Sequence, residues 1–313
     1  MYTVIFMGSP DFALPALQAL IDATDFDVKL VVSQPDKPQG RKQVLTPPAV
    51  KQLALQCGLE VFQPASLKTD EALDKLKSLS PDFIVVAAYG KILPAAVLDL
   101  PRYGCVNLHG SLLPKYRGAA PIQWSVINGD AETGVTTMLM DVGLDTGDIL
   151  ECVRTPIGEN ETAGELFDRL AAMCPELLLH TLYGLIDGTV HPVKQDDSLS
   201  SYAPMLSKEN AAIDWTRPAA DIHHFVCGLN PWPVAKTTYQ GKTLKIFSGL
   251  PAGSCKDLSP GTLFVRQGAL FAACGCGTAY ALGEIQLEGA KRMSAADFLR
   301  GHPSADGDCL VSL

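Results

Sequence analysis

The chain has 313 residues, of which 47% are hydrophobic and 19% charged, and its formal net charge is −9. Such a chain can bury a large core and is longer than one compact core usually serves, which predicts two domains. The acidic balance argues against a protein whose whole surface coats nucleic acid, although it allows a local basic patch. No apolar run reaches the roughly 18 to 20 residues that a membrane helix needs. The N-terminal residues also lack the basic start of a signal peptide, so we expect a cytoplasmic protein.

The first part of the chain alternates apolar strands with short helices. Residues 2–8, 27–34 and 81–90 are apolar runs of the kind found in buried strands, and residues 9–21 and 50–58 have helical spacing. Continuous apolar strands between helices indicate a parallel sheet that is covered on both faces. This pattern predicts an α/β fold with a doubly wound, mostly parallel, Rossmann-like sheet.

The next predicted strand, residues 104–111, brings polar groups to its carboxyl end, where open α/β sheets bind ligands. Asn107 and His109 are two positions apart, so on an extended strand their side chains project from the same side. An amide donor beside an imidazole can hold the oxygen of a carbonyl under attack. The pair therefore predicts a catalytic site for chemistry at a carbonyl.

An acidic, glycine-rich loop at residues 141–148 follows, between two further strand-like segments. Asp145 can supply a carboxylate that orients the imidazole of His109 and favours its protonated form. On composition alone, Asp141 and Asp148 are equally good candidates for that role.

Three other chemistries have weaker signals. The glycine after the first strand lies in "FMGSPDF", which lacks the G-x-G-x-x-G of dinucleotide-binding proteins. Ser111 is not in a G-x-S-x-G elbow, which favours a structural or ligand-binding role over a nucleophile. The histidines have neither H-E-x-x-H nor a comparable spacing, so we expect no metal.

The pattern changes after a long amphipathic helix that begins at the capping box of Thr162 and Glu165. Residues 189–207 are polar and rich in turn formers, and short alternating segments typical of a small antiparallel barrel or sheet follow. We therefore predict a catalytic domain at residues 1–188, a linker at 189–207 and a C-terminal domain at 208–313.

Residues 35–43, "PDKPQGRKQ", contain Lys37, Arg41 and Lys42 beside prolines and a glycine. Most such runs are solvated loops. This one follows the second predicted strand at the same edge of the sheet as Asn107 and His109, where a basic loop could meet a phosphate-bearing substrate.

Several segments together resemble the methionyl-tRNA formyltransferase family within the folate-dependent formyltransferase superfamily. The resemblance runs along nearly the whole chain, in "FMGSPDFA", "SQPDKPQGR", "VVAAYGKILP", "NLHGSLLPKYRGAAPIQW", "GDAETGVTTMLMDVGLDTGDIL", "LSKENAAIDW" and "NPWP". It implies 10-formyltetrahydrofolate as formyl donor and the α-amino group of initiator methionyl-tRNA as acceptor. It also implies that no metal is needed.

The same resemblance implies roles for individual residues. The family's catalytic trio falls on Asn107, His109 and Asp145, which selects one of the three acids of the loop. Its folate-contacting segment falls on Ser111, Leu112, Leu113 and Pro114, and its tRNA-interacting loop on Lys37, Arg41 and Lys42. The C-terminal domain is similar to an OB-like β-barrel that helps to bind tRNA, and we expect a monomer.

Two other functions remain open at this stage. The same chemistry could serve a small phosphate-bearing amine, whose phosphate Arg41 or Arg117 could meet. The chain could also be a non-catalytic folate- or RNA-binding protein, although pure binding would not need Asn107, His109 and Asp145 together.

Overall fold

The computed structural model describes residues 1–39 and 43–311 and divides into two compact units. The first unit comprises Met1–Pro121, Thr133–Thr155 and Phe167–Pro204. The second comprises Ile122–Glu132, Pro156–Leu166 and the residues from Met205 onward. The predicted boundaries at residues 188 and 207 stay a prediction.

The part of the chain up to residue 204 contains both strands and α-helices. The strands are β1 Tyr2–Gly8, β2 Phe26–Val32, β3 Lys37–Gln39, β4 Val44–Thr46, β5 Val61–Phe62, β6 Phe83–Ala87, β7 Cys105–His109, β8 Arg117–Gly118, β9 Glu132–Leu139, β10 Ile149–Pro156 and β11 Tyr202–Ala203. The α-helices are α1 Leu14–Asp22, α2 Ala49–Gln56, α3 Asp70–Ser78, α4 Ala95–Leu98, α5 Pro121–Ile127 and α6 Ala163–Asp187.

The first unit is built on a seven-stranded sheet with the order β10-β9-β7-β6-β1-β2-β5. The neighbours from β7 to β5 pair in parallel, whereas β9 pairs with β7 antiparallel. The central strands β6 and β7 are buried along their whole length, as their unbroken apolar sequences require. The predicted α/β fold with a mostly parallel central sheet is confirmed.

Residues 35–43, treated above as a loop, begin a short hairpin. Lys37, Pro38 and Gln39 of β3 pair antiparallel with Thr46, Leu45 and Val44 of β4. Strands of three residues, one of them containing a proline, are too short to produce a readable alternation of apolar and polar side chains. Arg41 and Lys42 lie outside the described residues.

The C-terminal part is rich in antiparallel strands, as predicted. Its elements are α7 Ala219–Gly228, β12 Ala235–Tyr239, β13 Lys242–Ile246, β14 Gly249–Ser254, β15 Leu263–Arg266, β16 Ala269–Cys274, β17 Thr278–Leu282, β18 Glu284–Leu287, β19 Met293–Ser294, α8 Ala295–Gly301 and β20 Leu310–Val311. They form a five-stranded sheet, β19-β18-β13-β12-β20, and a four-stranded sheet, β14-β17-β16-β15. The closure of these strands into an OB-like barrel stays a prediction.

Within residues 1–39 and 43–311, no helix is both long enough and apolar enough to cross a membrane.

Candidate active site

Asn107 and His109 lie on β7, an interior strand of the sheet of the first unit. Asn107 is opposite Val86 of β6 and Met138 of β9, and His109 is opposite Thr136 of β9. Both side chains are nearly buried, with 8% and 5% of their surface exposed. Since they are two positions apart on one strand, they lie on the same face of the sheet, as the sequence predicted.

The side-chain amide of Asn107 is available to a ligand. Within the described ranges it makes no hydrogen bond, although the residue is nearly buried. Buried amides in proteins are normally hydrogen-bonded, because leaving a donor without a partner costs free energy. The amide N–H groups of Asn107 can therefore be satisfied by an acceptor oxygen of a bound molecule.

His109 is held by one ring nitrogen and faces a carboxylate with the other. Its Nε2 lies 2.9 Å from the carbonyl oxygen of Tyr116, which can only accept, so Nε2 carries a proton. Its Nδ1 lies 3.7 Å from Oδ2 of Asp145. That distance is too long for a direct hydrogen bond and short enough for the carboxylate to stabilise a positive charge on the ring.

The structure places two of the three candidate acids in different surroundings. Oδ2 of Asp145 accepts a hydrogen bond of 2.8 Å from the backbone N–H of Gly118, beside His109. Oδ1 of Asp141 accepts from the N–H of Gly143 and the hydroxyl of Thr146, at 2.9 and 2.7 Å. Asp141 thus stabilises its own loop, while Asp145 faces the imidazole.

Ser111 and the residues after it form a tight turn against β9. The hydroxyl of Ser111, which is fully buried, donates to the carbonyl of Lys115 at 2.7 Å. The hydroxyl of Thr136 donates to the carbonyl of Ser111 at 2.7 Å and accepts from the N–H of Leu113 at 3.2 Å. Because its proton is committed to a backbone carbonyl, Ser111 has the geometry of a structural residue and not of a nucleophile.

The same turn presents apolar surface. The peptide bond between Leu113 and Pro114 is cis. Leu113 is buried, whereas Leu112 and Pro114 are half-buried. The turn therefore presents two apolar side chains that retain access to solvent.

The residue before the β3–β4 hairpin, Asp36, is held by hydrogen bonds and an ion pair. Asp36 accepts from the ammonium group of Lys51 at 2.8 and 2.9 Å and from the amide of Gln63 at 2.8 Å. The hydrogen bond from Gln63, followed by that from Lys51, holds the pKa of the Asp36 carboxyl below its usual range. Lys37, directly after Asp36, is exposed.

Two residues beside the site have roles that sequence reasoning missed. Arg117 donates through Nε and Nη2 to Oε1 of Gln195, at 3.1 and 2.8 Å, and through Nη2 to Asp197 at 2.7 Å. Gln195 lies in the polar segment 189–207, where nothing in the sequence separates it from its solvated neighbours. The guanidinium of Arg117, considered above as a phosphate contact, is thus bound within the protein.

No group of three or more His, Cys, Asp or Glu side chains in residues 1–39 and 43–311 is arranged to hold a metal ion.

Comparison with known proteins defines the class first. Residues 2–182 match the family model described as formyl transferase, and residues 205–303 match the model of the formyl transferase C-terminal domain. Curated relatives then narrow the class. The chain is 49% identical to the methionyl-tRNA formyltransferase of Trichlorobacter lovleyi and 50% identical to that of Pelobacter propionicus, covering 97% and 96% of those proteins and 99% and 98% of itself. The chain belongs to the methionyl-tRNA formyltransferase family.

Solved structures share the fold at low sequence identity. An N-formyltransferase from Helicobacter canadensis, in complex with folinic acid and dTDP-3-aminofucose, aligns with a TM-score of 0.67 at 18% identity over 90% of this chain and 99% of that one. HypX from Aquifex aeolicus, in complex with tetrahydrofolic acid, aligns with a TM-score of 0.60 at 16% identity over 96% of this chain and 47% of that one. These similarities concern the fold alone.

Proposed function

We propose that the chain transfers the formyl group of 10-formyltetrahydrofolate to the α-amino group of methionine on initiator methionyl-tRNA, for translation initiation. Full-length similarity to relatives of that name supports the reaction. The observation that carries the proposal is the nearly buried Asn107 amide, which has no hydrogen-bond partner within the described residues and shares a strand face with His109.

The reaction needs preset donors at the formyl oxygen. The amine nitrogen attacks the formyl carbon, a new C–N bond forms, and the electron pair of the carbonyl moves to oxygen. The bond between that carbon and the donor nitrogen then breaks, the amine loses a proton, and the donor nitrogen gains one. An amide N–H of Asn107 would stabilise the negative oxygen, which is the largest single effect in many such reactions.

His109 and Asp145 would accept and transfer the protons of the reaction. Since Nε2 of His109 donates to the carbonyl of Tyr116, Nδ1 is the nitrogen that can exchange a proton. A proton from the amine would reach Nδ1 directly or through water, and the carboxylate of Asp145, 3.7 Å away, would face the resulting imidazolium. In that form the ring also stabilises the negative formyl oxygen.

The turn after β7 would contact the folate. Leu112, Leu113 and Pro114 would form an apolar wall along the donor, and Ser111 would fix the backbone from which this wall projects. The half-exposed side chains of Leu112 and Pro114, close in sequence to the available amide of Asn107, fit a ligand with an apolar body and one reactive carbonyl.

Recognition of tRNA would use basic groups outside the reaction centre. Lys37, Arg41 and Lys42 would contact phosphates near the acceptor end. Residues 208–313 would form an OB-like, tRNA-binding domain, joined through the linker 189–207 to the catalytic domain 1–188. In this proposal the enzyme is a monomer that acts in the cytoplasm.

An acceptor panel tests the function. The purified protein is incubated with 10-formyltetrahydrofolate labelled in the formyl group and with methionyl initiator tRNA, the same tRNA uncharged, free methionine or a sugar-nucleotide amine. We expect label only on the charged tRNA, in an N-formyl amide of methionine that alkali releases from the tRNA by hydrolysing the aminoacyl ester. Preferred labelling of a small amine would replace the proposed acceptor, and failure to label any amine would exclude the reaction.

A further inference from the structure

Gln195 is buried within a segment that is otherwise solvated. Of residues 191–202 it is the single buried one, and 6% of its surface is exposed. Glutamine is rarely buried unless its amide is hydrogen-bonded. Its burial among exposed neighbours indicates that its side chain has a specific partner.

The amide of Gln195 uses its full hydrogen-bonding capacity. Nε2 donates to the backbone carbonyls of Asp145 and Gly147, at 2.9 and 2.7 Å. Oε1 accepts both bonds from Arg117 described above. Because a guanidinium only donates and a backbone carbonyl only accepts, chemistry alone fixes which end of the amide is oxygen.

The backbone that Gln195 holds is a strained one. Asp145 has φ +53°, in the left-handed region that residues other than glycine seldom adopt. Such a conformation persists where surrounding contacts fix it. Gln195 holds the carbonyls of residues 145 and 147, and the N–H of Gly118 holds the carboxylate of Asp145.

Both sets of contacts meet in β8. Arg117 and Gly118 form that strand, which pairs with Tyr202 and Ala203 of β11. One dipeptide therefore orients the amide of Gln195 through a guanidinium and binds the carboxylate of Asp145 through an N–H. These contacts fix the carboxylate in both position and direction.

We infer that Gln195, oriented by Arg117, is a positioning residue that sets the placement of the Asp145 carboxylate relative to Nδ1 of His109. The inference rests on the proposed catalytic role of Asp145. Loss of the two bonds to the 145–147 backbone would let the loop relax from its left-handed conformation and move the carboxylate. A displacement of about 1 Å at a reacting group can cost about a hundredfold in rate.

A double-mutant cycle tests this role. Gln195→Ala is made in the wild-type protein and in Asp145→Asn, and kcat and both Michaelis constants are measured. We expect Gln195→Ala to lower kcat of the wild type by about tenfold or more with little change in either Michaelis constant. In the Asp145→Asn background the same change should alter kcat by less than about twofold, because a residue that acts through Asp145 has nothing left to position.

Two controls keep the cycle interpretable. Val193→Ala truncates an exposed neighbour, and its activity should equal that of the wild type. Gln195→Glu keeps the size of the side chain while replacing the donor with an oxygen that repels both carbonyls. Its loss of kcat should match that of Gln195→Ala. Thermal unfolding is measured for each variant. If Gln195→Ala costs the same factor in both backgrounds, or nothing in the wild type, the inference is wrong. If Asp145→Asn is itself fully active, the proposed function of that residue fails instead.

Discussion

At the scale of single residues, the clearest contrast is between two acids of one loop. Asp145 faces Nδ1 of His109, whereas Asp141 accepts hydrogen bonds from Gly143 and Thr146. The same type of side chain thus faces the imidazole at one position and stabilises the loop at the other.

This contrast gives the first prediction. Asp145→Asn should lower kcat by about a hundredfold, because an amide cannot stabilise a positive imidazolium as a carboxylate does. Asp141→Asn is the matched control and should cost less than about tenfold, since an asparagine side-chain oxygen can still accept from Gly143 and Thr146. Asp148→Asn should likewise cost less than Asp145→Asn. Steady-state formylation rates at pH 7 provide the measurement. A greater loss of kcat at either control position would show that the assignment of the carboxylate to Asp145 is wrong.

Features of the site that depend on neighbouring residues could be predicted from the sequence, whereas those that depend on contacts between distant segments could not. The shared strand face of Asn107 and His109 could be predicted, because side chains two positions apart on a strand project from the same side. Their catalytic role stays a prediction. Asp145 could not be separated from Asp141 and Asp148 by composition, because the choice depends on loop backbone geometry. The contact between Gln195 and the loop could not be predicted from the sequence, because Gln195 and Asp145 are 50 residues apart in the chain.

At the scale of elements, the start of α6 could be predicted from the local sequence alone. The hydroxyl of Thr162 accepts from the N–H of Glu165 at 3.2 Å, and the Glu165 carboxylate accepts from the N–H and hydroxyl of Thr162 at 2.9 and 2.8 Å. This is the capping box expected from the sequence. The backbone hydrogen bond from Thr162, followed by that from its hydroxyl, lowers the pKa of Glu165.

The second prediction concerns this cap. Thr162→Ala should lower the free energy of unfolding by about 1 kcal/mol at pH 7. A carboxyl whose pKa is lowered by folding contributes stability above its unfolded pKa, near 4.3, and loses it as the pH falls through the folded value. The difference between Thr162→Ala and wild type should therefore narrow below about pH 4. Urea unfolding at pH 7 and at pH 3 measures this difference in the free energy of unfolding, and Thr189→Ala is the exposed threonine control. An equal difference between Thr162→Ala and wild type at both pH values would contradict the role of the Glu165 carboxylate in the cap.

Other elements show what periodicity cannot reveal. The β3–β4 hairpin is too short for a pattern, and the antiparallel pairing of β9 with β7 depends on the path of the chain and not on local residues. Helix α7 was also not predicted, since its two histidines and terminal glycine weaken the helical pattern. The buried central strands were predicted because continuous apolar runs identify them.

At the scale of the whole molecule, an acidic protein must bind a polyanion. Acidic residues outnumber basic ones in residues 1–207, whereas the two are nearly balanced in residues 208–313. With a net charge of −9, long-range attraction to tRNA is unfavourable, so affinity must come from a few local cations.

The third prediction follows for the 35–43 segment. Lys37→Ala and Arg41→Ala should each raise the Michaelis constant for methionyl-tRNA and leave that for the folate donor nearly unchanged. Each lost phosphate contact should make the log–log salt dependence of binding shallower by roughly 0.7 to 0.9. Lys77→Ala, an exposed lysine in the last turn of α3, is the control. Unaltered tRNA kinetics and salt slope in both variants would leave the segment as ordinary solvated surface.

In the proposed reaction the Asn107 amide is the donor that stabilises the formyl oxygen. The direct test of this role is the rate of formyl transfer in a single turnover, with enzyme saturated by both substrates, for wild type and Asn107→Ala. We predict a fall of about a hundredfold or more, as the loss of one oxyanion donor produces, with folate affinity unchanged. A rate within about threefold of wild type would contradict the account.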